Sequence, residues 1–303
     1  MQYKLNINRT PTETLLTIDG RTQNISAWAK EYNISEKTLG ARINSGWSEK
    51  DLFLHPNSPH RRKFNINYFD IIDDEHKAYW IGFIWSDGYL GYRIRDNGRE
   101  EYNLKLSLME SDYQHLEKFN KDLDGKYCVH FYKIGKKAYQ TNQKEARLFI
   151  TNKYFGENLK SKYGIIPHRE DFTKIANNTP FQLAKHLIRG IVDADGSFTA
   201  YKVLDNKKIR DKYSISICGT ETTLRFIEQH LIKQGLINNV ERKLDKRHKE
   251  PDRDKGCYIL HISGKKNVTD VLNYLYGDAT IYLDRKYQKY LNINGGDTNC
   301  SID

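Results

Sequence analysis

Two stretches of the chain share one pattern of apolar positions, interrupted by a glycine and ended by an acid. Gly82 lies five residues before Asp87 in the first stretch, and Gly190 lies five residues before Asp195 in the second. The apolar positions around each glycine predict a helix that is buried along most of its length. A second glycine follows each acid at once and marks the end of the predicted helix. The chain therefore contains a repeat in which equivalent acids are 108 positions apart.

Both predicted helices also have start signals. Asp73 or Asp74 can cap the first helix, and Thr179-Pro180-Phe181-Gln182 can open the second with a capping box and a proline at the first helical position. A glycine inside a helix costs about 1 kcal/mol relative to alanine, and an acid at a helix C-terminus faces the negative end of the dipole. Because both unfavourable features recur at matched positions, we expect each to have a use. The glycines would let the two helices approach closely. The two carboxylates would then meet at one edge of that contact, where they need a divalent cation or a shared proton.

The segments that follow the two predicted helices repeat in the same order. Apolar and polar positions alternate at 104–108 and again at 213–217, which predicts strands with one apolar and one polar face. In the first half we predict strands at 89–95, 102–109, 126–133 and 145–150, with helices from 111 and at 154–163. In the second half we predict strands at 197–204, 213–217, 240–244 and 257–262, with helices from 220 and at 268–276. The fold class is therefore predicted as α+β, with two pseudo-symmetric αββαββα halves, 70–170 and 171–303, packed through the glycine-bearing helices.

Each half would turn one polar sheet face outward. Two such faces related by a twofold axis form a saddle that fits the symmetry of a duplex, and β-ribbons can read base edges in the major groove. A register shift of one residue would exchange the two faces of a strand. The polar positions predicted to face DNA are Tyr89, Arg93, Arg95, Lys105, Ser107, either Tyr201 or Lys202, Ser214 and Ser216.

Residues 1–55 differ from the repeat and predict a small separate module. Two short strands around Asp19-Gly20 precede two short helices, for which Ser26 and Ser35 are the expected caps. Two helices joined by a tight polar turn are typical of helix-turn-helix DNA-binding modules. A small helical cap with a solvated basic face is the alternative. On the DNA-binding hypothesis, the outer face of the second helix presents Lys37, Thr38 and Arg42.

Residues 56–69 predict a basic linker, because two prolines precede the cluster Arg61, Arg62 and Lys63. Such a segment can contact phosphate without sequence preference or serve only as a solvated tether.

The composition narrows the partner class. The 49 Lys and Arg exceed the 39 Asp and Glu, so the formal net charge is +10 and a polyanion is expected: DNA, RNA or an anionic membrane surface. The four cysteines form no Cys-x-x-Cys pair, which argues against a zinc site and a disulfide framework. No apolar run approaches 18 residues, so we predict no membrane span or signal peptide and a soluble, cytoplasmic protein.

With these motifs, residues 70–292 resemble the LAGLIDADG homing endonucleases in their single-chain form with two motifs. The resemblance implies a monomer that makes a sequence-specific double-strand break in a long DNA target, with Mg²⁺ as the cofactor and Mn²⁺ or Ca²⁺ as substitutes. It implies Asp87 and Asp195 as metal ligands, with Gly88 and Gly196 beside them. The first copy lacks the earlier acid that Asp193 supplies in the second, and we expect that acid to be structural.

The same resemblance implies a catalytic lysine just after the last strand of each half. Lys153 fills that place in the first half, and either Lys265 or Lys266 fills it in the second. The Arg42-Ile43 and Gly46-Trp47-Ser48 segments resemble DNA-binding modules found beside phage and intron endonucleases. A non-catalytic binder of the same fold, either an intron RNA maturase or a DNA-binding regulator, is the alternative. The presence of both motif acids favours the nuclease.

Overall fold

The structure is a computed structural model that describes residues 6–9, 14–18, 20–47, 49–53, 64–98, 100–133, 144–167, 171–205, 208–240, 242–246 and 256–295 of the 303 in the chain. The N-terminal module is an antiparallel sheet in the order β1-β2-β3 followed by three short helices. Its elements are β1 (Asn6–Arg9), β2 (Thr14–Ile18), β3 (Arg21–Asn24), α1 (Ile25–Glu31), α2 (Glu36–Asn44) and α3 (Glu49–Leu52). Strand β1 and helix α3 were not predicted from the sequence.

The module has a small core of its own around Leu16, Trp28, Leu39 and Leu52, all of which are buried. The expected cap at Ser26 was wrong. Asn24 caps α1, because its side-chain oxygen accepts a hydrogen bond from the Ala27 amide at 2.7 Å. The cap at Ser35 is confirmed for α2.

The first half of the body follows the predicted order. Its four strands form an antiparallel sheet in the order β4-β5-β7-β6, and helices cover the apolar face of that sheet. Asp74 caps the first helix, as predicted. The predicted strand at 126–133 is shorter than expected. The elements are α4 (Glu75–Asp87), β4 (Gly88–Ile94), β5 (Glu100–Met109), α5 (Tyr113–Asp122), β6 (His130–Lys133), β7 (Lys144–Thr151), α6 (Lys153–Tyr163) and α7 (Thr173–Asn178).

The second half repeats this arrangement, with an antiparallel sheet in the order β8-β9-β11-β10. The prediction at 240–244 was wrong, because the strand there comprises only 245–246. The predicted capping box at Thr179 was also wrong, since a 3₁₀ turn at 181–183 precedes the helix without a side-chain cap. The elements are α8 (Ala184–Asp195), β8 (Gly196–Asp205), β9 (Lys208–Gly219), α9 (Glu221–Lys233), β10 (Asp245–Lys246), β11 (Tyr258–Ser263), α10 (Lys265–Tyr276) and α11 (Asp284–Asn294).

The two halves meet along α4 and α8, and the glycines lie at the closest approach. A β-carbon on Gly82 would lie 2.1 Å from the Leu187 carbonyl oxygen, and one on Gly190 would lie 2.1 Å from the Tyr79 carbonyl oxygen. Only glycine fits at either position without moving the partner backbone. The predicted α+β fold of two halves paired through these helices is therefore confirmed.

The last helix of each half packs against the other half. The second half was predicted to begin at residue 171, but α7 packs on α6 and therefore belongs to the first half. The Phe172 amide, just before α7, donates to Thr222 Oγ1 of the second half at 3.1 Å. In the opposite direction, α11 reaches the first half, where Lys118 pairs with Asp284 at 2.6 Å and Arg285 with Asp112 at 2.8 Å. The terminal segment of each half therefore contacts the other half, in addition to the contact between α4 and α8.

The body begins earlier than residue 70. Phe69 is fully buried in the core, and Phe64 packs edge-on against the Phe155 and Tyr127 rings. Residues 64–69 thus belong to the first half rather than to the predicted linker. Among the residues that the structure describes, no helix is long and apolar enough to cross a membrane.

Candidate active site

The two motif acids are the last residues of the paired helices. Asp87 ends α4 and is exposed, and Asp195 ends α8 and is half-buried. The glycine after each acid begins a strand without an intervening loop. A β-carbon on Gly88 would lie 2.6 Å from the Ile84 carbonyl oxygen, and one on Gly196 would lie equally close to the Val192 carbonyl oxygen. Glycine is therefore needed where each helix turns directly into its strand.

Lys286 is the basic residue that lies at these helix ends. Its ammonium donates a hydrogen bond to the Val192 carbonyl at 3.1 Å and another to the Gly196 carbonyl. Burial lowers the pKa of Lys286 to about 8, although the nearby carboxylates of Asp193 and Asp87 favour its charged form. The ammonium of Lys286 therefore lies against the end of α8, within the electrostatic influence of the acid that ends α4.

Lys286 was not among the residues predicted from the sequence, although the sequence contains a signal for it. In the pattern of α11, Lys286, Tyr290 and Ile293 occupy one helical stripe, and all three are buried. A lysine in an otherwise apolar stripe is rarely fully buried unless it has partners. The stripe could therefore have marked Lys286 as a residue with an interior role.

Asp193 is fully buried and has three hydrogen-bond donors. It accepts from the Tyr79 hydroxyl at 2.7 Å, the Tyr276 hydroxyl at 2.6 Å and the Leu283 amide at 2.7 Å. Burial raises the pKa of Asp193, while these three hydrogen bonds act in the opposite direction. The carboxylate thus joins α4, α8 and the segment before α11, which agrees with the structural role expected for it.

The network continues into the first half through His115. Tyr79 gives its single hydroxyl proton to Asp193, so the contact of 2.9 Å between the Tyr79 oxygen and His115 Nε2 requires His115 to donate from Nε2. Burial lowers the pKa of His115 to about 3, which keeps the ring neutral. The interior behind the helix ends is therefore a chain of ordered polar groups with defined protonation states.

The three lysines that the resemblance implied lie away from the acids. Lys153 pairs with Glu100 at 2.7 Å, and Lys266 pairs with Asp270 at 2.7 Å. Lys265 lies 5.7 Å from the centre of the Tyr213 ring. The reason is the direction of the strands. Each half's last long strand runs away from the helix end. The register aligns Gly88 with Leu148 and Gly196 with Leu260 through the strand between them, so Lys153 and Lys265 each lie five positions beyond the row of the glycine that follows the acid.

The sheet register defines an open face on each half, opposite the face that packs on the helices. Arg93, Lys105 and Ser107 lie on the open face of the first sheet, and Arg95 reaches it through its pairing with Glu101. Ser214 and Ser216 lie on the open face of the second sheet. Of the two alternatives Tyr201 and Lys202, Lys202 is the wrong one, because it shares the side of Phe198 and Ala200. Tyr201 occupies the open side instead.

In the N-terminal module, the prediction for Arg42 was wrong. Arg42 is buried, donates to the Leu52 carbonyl, and lies 4.9 Å from the centre of the Trp47 ring. It therefore holds α3 onto α2 and cannot reach a groove. Lys37 is exposed on α2 and Thr38 is half-buried near its start. The predicted contacts Arg61, Arg62 and Lys63 lie outside the described residues.

The donor set at the helix ends is suited to a hard cation. Each helix contributes one carboxylate, whereas the backbone carbonyls of Val192 and Gly196 at the end of α8 accept hydrogen bonds from Lys286. Within the described ranges, no group of three or more His, Cys, Asp or Glu side chains could form a closed metal site. Oxygen donors with open positions suit Mg²⁺, which keeps several waters and binds substrate phosphate. The two carboxylates are therefore of the ligand type that a hard divalent cation requires.

Comparison with known proteins gives matches among solved structures only. No family model and no curated protein matches the chain. The homing endonuclease I-LtrWI bound to target DNA is 12% identical, with a TM-score of 0.49 over 77% of this chain and 90% of its own. Meganuclease I-SmaMI bound to uncleavable DNA is 13% identical, with a TM-score of 0.49 over 72% and 88%. Meganuclease I-AabMI bound to uncleaved DNA is 13% identical, with a TM-score of 0.44 over 72% and 89%. All three are described as LAGLIDADG proteins or as meganucleases.

Proposed function

We propose that the chain is a LAGLIDADG homing endonuclease that makes a divalent-metal-dependent double-strand break in a long DNA target, hydrolysing one phosphodiester in each strand. The observation that carries the proposal is the pair of acids at matched ends of two helices that touch through glycines. Each acid leads directly into a four-stranded sheet with a polar open face. One acid for each half fits two scissile phosphates.

In this mechanism, Asp87 and Asp195 hold the divalent cation, for which Mg²⁺ is the expected ion and Mn²⁺ or Ca²⁺ are substitutes. When bound, the cation stabilises negative charge on the phosphate and activates water. The open faces of the two sheets bind the duplex and set its register. Lys286 fixes the last turn of α8 through two backbone carbonyls and so keeps Asp195 in place. Because one chain carries both acids, the protein acts as a monomer.

The test begins with a search for the target. Duplexes bound by the full chain in a metal chelator are enriched from a randomised library, and the enriched duplex is then cloned into a supercoiled plasmid. With Mg²⁺ added, we expect the wild-type chain to linearise this plasmid. Asp87→Asn and Asp195→Asn should each lower the rate of linearisation by at least about a thousandfold, because each removes a ligand that stabilises charge in the transition state. Binding of the duplex in the chelator should remain.

Glu117→Gln is the matched control, since Glu117 is an exposed acid of the same half on α5. Calorimetric titration with Mn²⁺ in the presence of the duplex gives a second readout that does not depend on turnover, and the double variant should lose this binding. Linearisation by either single variant at the wild-type rate would sink the metal assignment. Specific binding without cleavage by the wild-type chain would favour the non-catalytic binder, which acts as a maturase or a regulator.

A further inference from the structure

The open face of the first sheet carries one carboxylate that holds two arginines. Arg93 donates from Nε at 3.0 Å and from Nη2 at 2.5 Å to one oxygen of Glu101. Arg95 donates from Nε to the other oxygen at 2.6 Å. Burial acts to raise the pKa of Glu101, but the hydrogen bonds from Arg95 and Arg93 outweigh it and hold the pKa below its usual range. The carboxylate is therefore charged and fully engaged.

The two guanidinium groups remain presented to the outside. Their side chains are 65% and 52% exposed, whereas the Glu101 side chain between them is only 15% exposed. Both arginines use the same edge, Nε with Nη2, to bind Glu101. In the part of the chain that the structure describes, Nη1 of neither arginine has another hydrogen-bond partner. We call Glu101 with Arg93 and Arg95 the arginine clamp. The clamp orders the two long arginine side chains and leaves a donor edge of each facing outward.

A carboxylate at this position needs an explanation if the face binds a polyanion. Alone, Glu101 would repel phosphate, and a surface ion pair adds little to stability. As a support, however, it fixes two flexible arginines before binding, and such preorganisation lowers the entropic penalty of recognition. The face beside the clamp is concave. A depression of about 360 Å³ over Gly91 is lined by Arg93, Glu101, Asn103 and Phe149, among others. A base edge can therefore approach the arginines.

The second sheet has a different arrangement at the equivalent place. Gly88 pairs with Leu106 and Gly196 pairs with Ile217, and counting from these pairs places Tyr201 and Lys212 where the first sheet has Arg93 and Glu101. The Lys212 ammonium lies 5.9 Å from the centre of the Tyr201 ring. Nearer the acid, the second open face carries hydroxyl pairs such as Thr199 with Ser214 at 3.0 Å. The clamp therefore belongs to one half only.

We infer that Glu101 presents Arg93 and Arg95 to two guanines in the half-site bound by the first sheet. This inference rests on the proposed function. Arginine pairs with the O6 and N7 acceptors of guanine through two parallel donors, and guanine alone offers both acceptors in the major groove. Glu101 is a positioning residue, and the two arginines read the bases. Because both arginines share one carboxylate, the guanines lie one or two base pairs apart.

The strand geometry also locates the guanines. Arg93 lies five residues beyond Gly88, which corresponds to roughly 16 Å along a strand that rises about 3.3 Å per residue. With about 3.4 Å for each base pair, the first guanine lies about five base pairs from the phosphate nearest Asp87. The symmetry-related position of the other half-site should show no such preference for guanine.

The experiment uses the full chain in a metal chelator and the library selection described above, now read as the preference for each base at each position. Arg93→Ala should lower the preference for guanine about 5- to 150-fold at one position and leave the other positions unchanged. Glu101→Gln keeps the shape but weakens both ion pairs, so the preference should fall at both positions. Its affinity for non-specific DNA should stay the same or rise, because a negative charge is removed. A Glu101 that served only as a surface ion pair would show the rise without the change in base preference.

Lys212→Ala is the matched control at the equivalent place of the second sheet and should leave both guanine positions unchanged. Melting curves establish that each variant is folded. If Arg93→Ala and Glu101→Gln select the same bases as the wild-type chain, the clamp inference is wrong although the proposed DNA binding stands. If the wild-type chain enriches no duplex at all, the proposed function itself fails.

Discussion

The two halves share one backbone plan but differ in what fills the interior beneath the two terminal acids. Two residues before Asp87, Trp85 donates to Thr223 at 3.1 Å and packs with its ring centre 5.2 Å from that of Phe172. Two residues before Asp195, Asp193 accepts hydrogen bonds from two tyrosines and an amide. One side is therefore mostly apolar and the other is ionic. One helix of the pair carries an aromatic side chain two residues before its acid and the other carries a carboxylate. The pairing of the helices therefore depends on the glycines and not on the residue at that position.

The segments beneath these residues differ in the same way. Ile175 is the third residue of α7, and Lys286 is the third residue of α11. Both side chains are buried, but only the second carries charge. The difference teaches that the symmetry of this molecule lies in its backbone contacts. The charges near the acids have diverged, so the environments of Asp87 and Asp195 are not equivalent.

The close contact between α4 and α8, to which both halves contribute equally, can be tested by replacing its glycines. Gly82→Ala and Gly190→Ala should each lower the free energy of unfolding by more than about 3 kcal/mol, because the added carbon meets a backbone carbonyl and the helices must separate. The measurement is urea unfolding followed by circular dichroism. Gly40→Ala in α2 is the control, since nothing lies within 4 Å of a β-carbon there. Equal effects at Gly82 and Gly190 would confirm that the contact is symmetric. An unchanged midpoint for either would show that the helices do not meet at that residue.

The buried charge that distinguishes the second half can be tested by measuring how stability depends on pH with and without Lys286. Burial lowers the pKa of this lysine from 10.5 to about 8. Between these values the unfolded chain binds the proton and the folded chain does not, so stability should rise as pH increases from 8 to 10.5. The rise attributable to this group is about 3 kcal/mol. Lys286→Met, which makes the second half resemble the first, should remove it.

Melting temperatures of both proteins measured across this pH range provide the check, and Lys233→Met on α9 is the control. Lys233 is an exposed lysine of the same half that lies on another helix, so its replacement should leave the pH dependence unchanged. Parallel pH curves for wild type and Lys286→Met would mean that the ammonium is not buried as described.

The smallest expected effect concerns the N-terminal module, which adds a third, unpaired element to a body with two related halves. If the module binds DNA, deletion of residues 1–63 should weaken binding about tenfold, because a tethered module raises affinity through its effective concentration. The deletion should also flatten the dependence of affinity on salt by about one unit for each phosphate that the module neutralises. The footprint should shorten at one end only, and the cleavage position should not move. Unaltered affinity and footprint would identify the module as a cap or a protein-binding element.

Local signals in the sequence predicted the parts of the fold that depend on local physics. The cap at Asp74, the start of α9 after Thr220 and the close approach at Gly82 and Gly190 all follow from residues within a few positions of each other. The errors have non-local causes. Lys153 was proposed from the resemblance alone, and the direction of its antiparallel strand carries it five positions beyond the row of Gly88.

The other differences have similar causes. Lys202 fell on the wrong face because a shift of one residue reverses a strand. Arg42 is buried because α3, which was not predicted, supplies the Leu52 carbonyl that it binds. Lys286 lies far in sequence from both acids, and only the packing of α11 brings it to them. The repeat in the sequence placed the two acids at matched helix ends, whereas the buried lysine beside the end of α8 could be found only from the structure.

The packing of α11 against the first half also has a consequence for folding during synthesis. The ion pair between Asp112 and Arg285 joins residues 173 positions apart, and such long-range contacts slow folding. At a synthesis rate of about 5–20 residues per second, the first half, complete at the end of α7, waits roughly 6–23 s before α11 has been made. During that interval, the surface of α5 that α11 will occupy is open to other chains. The first half is therefore the part of the nascent protein with the greatest need for chaperone protection.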